Sequence, residues 1–225
     1  MKKLLSLLLA LCLTSFAWAE APADAVYVTI SDAAGQLVLA RTPVQVTDAD
    51  GDGALTISDA LIAAHAACHP EGAAAYEATL TEFGLSLMKL WGDDSGVYGY
   101  YCNNASAWSL ADPVQPGDHV QAYVFTDPVT WSDTFSYFST DALTIAAGEA
   151  AALTLSAAGY DEMWNPVTLP VAGASLTIDG TATAVITDET GAALLTFSTP
   201  GVYVVSATSA TQTLVPPVCI VTVTE

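Results

Sequence analysis

"VYVTISDAAGQLVLARTPVQVTDADGDGALTISDALIAAHAAC", residues 26 to 68, runs through three kinds of local pattern. Val26, Val28 and Ile30 alternate with Tyr27 and Thr29, the period of two that a half-buried strand requires. Ala33-Ala34-Gly35-Gln36 turns the chain back, and Leu37 to Ala40 with Val44 to Val46 reads as the return strand, Pro43 marking an edge or a bulge. An Asp/Gly loop follows. After it, Asp59 to Cys68 predicts a short alanine-rich helix stopped by Pro70 and Gly72. A hairpin followed by one helix needs further strands to complete a sheet under that helix.

Those strands are readable downstream. Leu85 to Trp91, the Gly92-Asp93-Asp94-Ser95-Gly96 turn, Val97 to Cys102, the Asn103-Asn104 turn and His119 to Phe125 predict one helix against a mixed sheet. Past Asp141 the residues become small and β-branched. Leu153 to Leu155, Leu176 to Ile178, Ala182 to Ile186, Leu194 to Phe197, Val202 to Ala207 and Cys219 to Val223 predict an immunoglobulin-like β-sandwich. The expected division is a first domain over 20–140 and a second over 141–225, with the boundary near Thr140.

Met1-Lys2-Lys3, the apolar run from Leu4 to Phe16 and Ala17-Trp18-Ala19 have the three parts of a secretory signal peptide, residues 1–19. A lipoprotein would use Cys12, but Leu11 stands before it where a small residue is expected. All 24 acidic residues lie at or after Glu20, and of the four Lys and Arg only Arg41 and Lys89 do. A mature chain so acidic is a poor partner for nucleic acid or anionic membrane, and no membrane insertion of the mature chain is expected. Charged residues are only 12% and hydrophobic ones 52%, so the chain can bury a core. The expected localisation is secreted, extracellular or cell-surface.

Within the Asp/Gly loop, Asp48, Asp50, Asp52 and Asp59 fall at positions 1, 3, 5 and 12, with Gly53 at position 6 and Thr56 at position 9. This is the spacing of an EF-hand-type calcium loop, in which the glycine permits the sharp turn and the carbonyl at position 7, here Ala54, is a backbone ligand. Hard oxygen ligands suit calcium. Leu55 would anchor the loop on the core. The alternative is a solvated Asp/Gly turn that binds nothing. The segment resembles one dockerin repeat, D-x-D-x-D-G-x-x-T-x-x-D before a helix; dockerins carry two, and this chain has one, preceded by a strand.

"VYVTI", "DALIAAH", "GVYGYYCNN" and "PGDHVQAYVF" resemble the transcobalamin C-terminal-like β-grasp domains of secreted and surface proteins of Gram-positive bacteria. That resemblance implies a β-grasp fold with the calcium loop inserted before its helix, and a corrinoid as one possible ligand class. "TDETGAALLTFSTPGVYVVSA" resembles bacterial immunoglobulin-like modules, which implies a spacer. The expected fold class is therefore mainly β with one short helix, a β-grasp-like α+β domain followed by an immunoglobulin-like β-sandwich.

Other candidates are weaker in pattern. Cys68 and Cys102 are the expected disulfide pair in an oxidising exterior, with Cys219 alone, and three buried thiols are the alternative. His65, Cys68 and His69 have helical spacing for zinc, against the ordinary reading of histidines at a helix C-terminus. Lys89 near Asn103 and Asn104 is an isopeptide candidate against a solvated lysine. Trp108, Trp131 and Tyr100 are the expected ligand surface among the aromatics between Trp91 and Phe138. No G-x-S-x-G or H-E-x-x-H occurs, and no catalytic residue is assigned. The sequence is thus read as a calcium-binding, non-catalytic interaction or adhesion protein of an unknown extracellular protein, glycan or small-molecule partner. A small-ligand carrier, with a corrinoid as its candidate cargo, is the first alternative and an unrecognised enzyme the second.

Overall fold

The computed structural model describes residues 22–225. The leader, the signal cleavage after Ala19 and Cys12 lie outside them. Strand β1 (Val26–Ser31) sends Val26, Val28 and Ile30 into a core where each is 2% exposed or less. Strand β2 (Leu37–Val44) pairs antiparallel with it, and the register shifts between Val28 and Ser31. Pro43 lies on the outermost strand, where a missing amide donor disturbs no ladder.

Helix α1 (Ile57–Cys68) begins two residues earlier than the periodicity suggests, because Thr56 is its N-cap. Ile57, Ala60, Leu61 and Ala64 are fully buried, and the two alanines let the helix axis approach the sheet closely. A 3-10 turn (Gly72–Ala75) leads to a separate hairpin of β3 (Glu77–Thr81) and β4 (Gly84–Lys89). Then come β5 (Tyr98–Cys102), β6 (Ala105–Ser106) and β7 (His119–Val124). The sheet order is β2-β1-β7-β5-β6, with β7 parallel to β1 and the other pairs antiparallel. Its helix-side face forms one core with α1, including Val120, Ala122 and Val124 of β7.

The remaining strands are β8 (Thr134–Phe138), β9 (Ala142–Ala146), β10 (Ala150–Tyr160), β11 (Pro166–Pro170), β12 (Ser175–Ile178), β13 (Thr181–Ile186), β14 (Ala192–Thr196), β15 (Gly201–Thr208), β16 (Leu214–Val215) and β17 (Cys219–Thr224). One sheet runs β11-β10-β8-β16 with β14 on β10, the other β13-β12-β15-β17-β9. The first half of β10 pairs with β14, β12 pairs with β15, and β9 runs parallel to the last strand β17. That is the pairing of an immunoglobulin-like sandwich, and the inner faces share a core around Leu155, Leu176, Val205 and Val221. The described residues are mainly β with one α-helix, as the sequence predicts.

Strand β8, just before the boundary expected near Thr140, is hydrogen-bonded to β10 and to β16. Two other expectations are corrected. Cys68 and Cys102 are not bridged, and both pack against the helix-side core, where burial pushes the Cys102 thiol up to about 11. Leu55 is 37% exposed rather than an anchor in the core. The loop is instead tied by Val114 N, which donates to the Leu55 carbonyl at 2.8 Å.

The two sheet systems meet across the face of the first sheet opposite α1. Tyr101 and Phe135 stack with ring centroids 3.5 Å apart, and Tyr123 and Val215 complete that contact. Gly99 permits it, because a Cβ there would collide with the ring of Tyr123.

Candidate metal centre

The loop between β2 and α1 is shaped by its own carboxylates. Asp48 Oδ1 accepts from Gly51 N at 2.7 Å and Asp52 N at 3.2 Å, and its Oδ2 accepts from Gly53 N at 2.9 Å. Asp50 accepts from Asp52 N, and Asp52 accepts from Ala54 N at 2.8 Å. Gly51 and Gly53, at φ +77° and +89°, supply the left-handed turns that fold these amides back over Asp48. The Gly53 amide, more than the others, holds the Asp48 carboxyl below the usual range.

As a result one carboxylate oxygen from each of Asp48, Asp50 and Asp52 lies within 4.8 Å of the others, all three residues being exposed. Oxygens bound to a calcium ion at about 2.3–2.6 Å span at most about 5 Å across it. The cluster therefore has the spacing to share one cation.

Asp59 and Thr56 are placed differently. Asp59 is 3% exposed, with Oδ1 accepting from Ala49 N at 2.9 Å and Oδ2 from Thr56 N at 2.9 Å and from the Thr56 hydroxyl at 2.7 Å. The pair forms the capping box of α1 and braces the loop against the helix. Ala54 stands at the exit of the loop, its amide held by Asp52.

Two histidine sites escape sequence reasoning. His65 is completely buried; its Nδ1 meets the Leu61 carbonyl at 2.6 Å and its Nε2 meets the Trp91 amide at 2.9 Å. A carbonyl can only accept and an amide can only donate, so the ring is neutral with its proton on Nδ1. Burial lowers its pKa, consistent with that state. With both nitrogens taken, His65 does not join Cys68 and His69 in a zinc site. No local periodicity reveals Trp91 as its partner, 26 residues away.

At the junction of the sheets, His119 Nδ1 lies 3.1 Å from Asp141 and Nε2 lies 2.8 Å from the Thr29 hydroxyl. Thr29 also accepts from Arg41 N, and Arg41 sits 3.5 Å from Asp141 and over the ring of Tyr27. Hydrogen bonding from His119 holds the Asp141 carboxyl low. The connectivity resembles that of a hydrolase triad. Thr29 and His119 are nevertheless 4% and 3% exposed, so the chain of contacts works as a clasp between the sheets.

The three residues expected to form a ligand surface differ in exposure. Trp108 is 90% exposed on the loop after β6, with its amide on Asp112. Trp131 lines a shallow cleft of about 180 Å3 with Val97, Tyr98 and Phe125. Tyr100 is half-buried against the helix-side core. An open groove of about 520 Å3 lies elsewhere, between β10, β13 and β14. Lys89 pairs in register with Glu77, not with Asn103 or Asn104.

No family model matches the chain, and no curated protein matches it. Among solved structures, three crystal structures of the N-terminal four Ig domains of Dscam1 are similar. Isoforms 4.4 and 9.44 each share 13% identity over 66% of this chain and 32% of theirs, with TM-scores of 0.27 and 0.26. Isoform 4.44 shares 11% over 91% of this chain and 45% of its own, at a TM-score of 0.27. This chain thus spans 32% to 45% of the length of those proteins. Overlaps so low do not bear on the fold, which the strand pairing defines. Among the described residues no helix is long and apolar enough to cross a membrane.

Proposed function

We propose that this is a secreted or surface-associated, calcium-binding, non-catalytic interaction protein in which a β-grasp-like domain is carried on an immunoglobulin-like one. The observation that carries the calcium reading is the convergence of Asp48, Asp50 and Asp52 within 4.8 Å of one another. Those three carboxylates with the Ala54 carbonyl form the inner ligand set. Asp59 and Thr56 act as the brace that keeps the loop on the helix N-terminus. The β-grasp reading is supported by the order β2-β1-β7-β5-β6, a parallel central pair and one helix across the sheet. The interaction reading is supported by large apolar side chains left exposed on hydrogen-bonded turns, Trp108 and Trp164 among them.

Thermal unfolding tests the calcium reading. At a free calcium concentration 100 times Kd, linkage contributes about 2.7 kcal/mol, so the melting temperature should rise by several degrees over that in chelator. The double change Asp50→Ala and Asp52→Ala should abolish the rise. Equal melting of wild type in calcium and in chelator would leave the loop as a turn only.

A further inference from the structure

Two tryptophans occupy a backbone conformation that tryptophan adopts reluctantly. Trp131 has φ +55° and Trp164 φ +62°, the left-handed region in which a Cβ crowds the carbonyl and glycine or asparagine fits more easily. Trp91 shares the feature at φ +51°, but it is half-buried with its ring 5.1 Å from His65, so packing accounts for it. Trp131, whose ring N–H donates to the Pro128 carbonyl at 3.1 Å, and Trp164 are by contrast 66% and 80% exposed. Strain retained at rings left so exposed points to a use for them.

Both rings are displayed on loops wound around a single aspartate. Asp127 accepts from the amides of Val129 and Thr130 and from the hydroxyls of Thr130 and Ser132. Asp161 accepts from the amides of Met163 and Asn165 and from the Asn165 side chain. Each held tip presents a second apolar group, Val129 at 86% and Met163 at 78% exposed.

The two tips leave the same end of one strand pair, since β8 runs antiparallel to β10 with Phe138 opposite Leu155 and Ser136 opposite Ala157, and each has rings beneath it, the middle ones buried. Trp131 lies 6.4 Å from Phe125, Phe125 lies 5.0 Å from Tyr123, and Tyr123 lies 6.4 Å from both Tyr101 and Phe135. Tyr160 lies 6.1 Å from Trp164.

Charge selects what fits there. The sequence has 24 acidic residues against four Lys and Arg. Of the two basic residues in the described part, Arg41 is engaged by Asp141 and Tyr27. The Thr130 hydroxyl holds Asp127 well below the usual carboxylate range, and the Asn165 side chain lowers Asp161. They stay ionised while their own loops occupy their oxygens. Such carboxylates draw a cation over the adjacent ring faces, offer few free acceptors to sugar hydroxyls, and repel anionic lipid.

We propose that the exposed Trp131 and Trp164 tips form a docking surface for a cationic segment of a partner protein. Its Lys or Arg side chains lie on the ring faces, and its apolar residues cover Val129 and Met163. This deepens the interaction reading above and rests on it.

The test uses the full chain and two labelled synthetic peptides followed by anisotropy, one alternating lysine and leucine, the other glutamate and leucine. Saturable binding of the lysine peptide alone is expected. The double change Trp131→Gly and Trp164→Gly should weaken it by about tenfold or more, without lowering the melting temperature, because glycine suits both backbone positions. Trp108→Ala should leave binding unchanged. The proposal is overturned if the double variant binds as wild type does. It is also overturned if the glutamate peptide binds equally, or if phosphatidylcholine–phosphatidylserine vesicles or a soluble glucan bind in preference. Binding lost on Trp108→Ala instead would sink this surface while leaving the interaction reading standing. Absence of binding to every probe would count against both, whatever the outcome of the calcium melts.

Discussion

Lowering the pH from 7.5 to 5.5 should destabilise the protein through His65 well before any carboxylate titrates. In the fold, His65 Nε2 accepts the Trp91 amide at 2.9 Å, so a proton there would set two donors against each other inside a site with no solvent exposure. The folded pKa is accordingly lowered, burial being the main cause. For a histidine with a lowered folded pKa, stability is complete above the unfolded value of about 6.5 and declines below it, because only the unfolded chain takes up the proton. If the folded ring stays neutral through the window, linkage gives a loss of about 1.4 kcal/mol between pH 7.5 and 5.5. The assay is urea unfolding at several pH values in chelator, so that metal binding contributes nothing. His65→Gln, which keeps an acceptor but cannot titrate, should be less stable at pH 7.5 and should lack this part of the pH slope. Equal slopes for wild type and His65→Gln would refute the reasoning.

Asp141→Asn removes the charge at the junction clasp, where His119 and Arg41 meet it at 3.1 and 3.5 Å. Because the Asp141 carboxyl is held low in the fold, its contribution is present above about pH 3.9 and fades as pH falls through its folded value. The variant should therefore lose about 1–2 kcal/mol at pH 7 by calorimetry and converge with wild type in strong acid. Gly191→Ala should be far more damaging, since Gly191 has φ +79° and a Cβ would strike the Leu155 carbonyl oxygen. A loss of about 3 kcal/mol or more is expected in denaturant unfolding, and a loss under about 1 kcal/mol would contradict the geometry.

What the sequence discloses depends on whether a pattern is local. The alternation of Val26, Val28 and Ile30, the Asp48 to Asp52 spacing and the alanine-rich helix are each contained in a few residues, and each is found in place. Strand β8 was hidden because Ser136, fully buried with its hydroxyl on the Val215 carbonyl, breaks the apolar alternation of "TFSYF". Strand β9 is short, and its partner β17 lies almost 80 positions away, with Thr224 reaching the Ile145 carbonyl across 79 residues. Asp59 satisfies two local grammars at once, loop position 12 and helix position N3; its Oδ2 serves the helix cap while its Oδ1 holds the Ala49 amide of the loop. The clasp of Thr29, His119 and Asp141 and the tryptophans at positive φ have no periodic signature at all.

The parallel pairings of β8 with β16 and of β9 with β17 bear on the order in which the chain can fold. The first sheet is complete once β7 has been made, and its core with α1 needs nothing from later residues. The sandwich is different, because its earliest strands take their parallel neighbours from its latest ones. Loop closure of that length must precede any gain from the contacts it permits, and such topologies form slowly. During synthesis the first sheet can therefore condense while β8 to β15 remain without β16 and β17, their edges open and exposed to wrong partners.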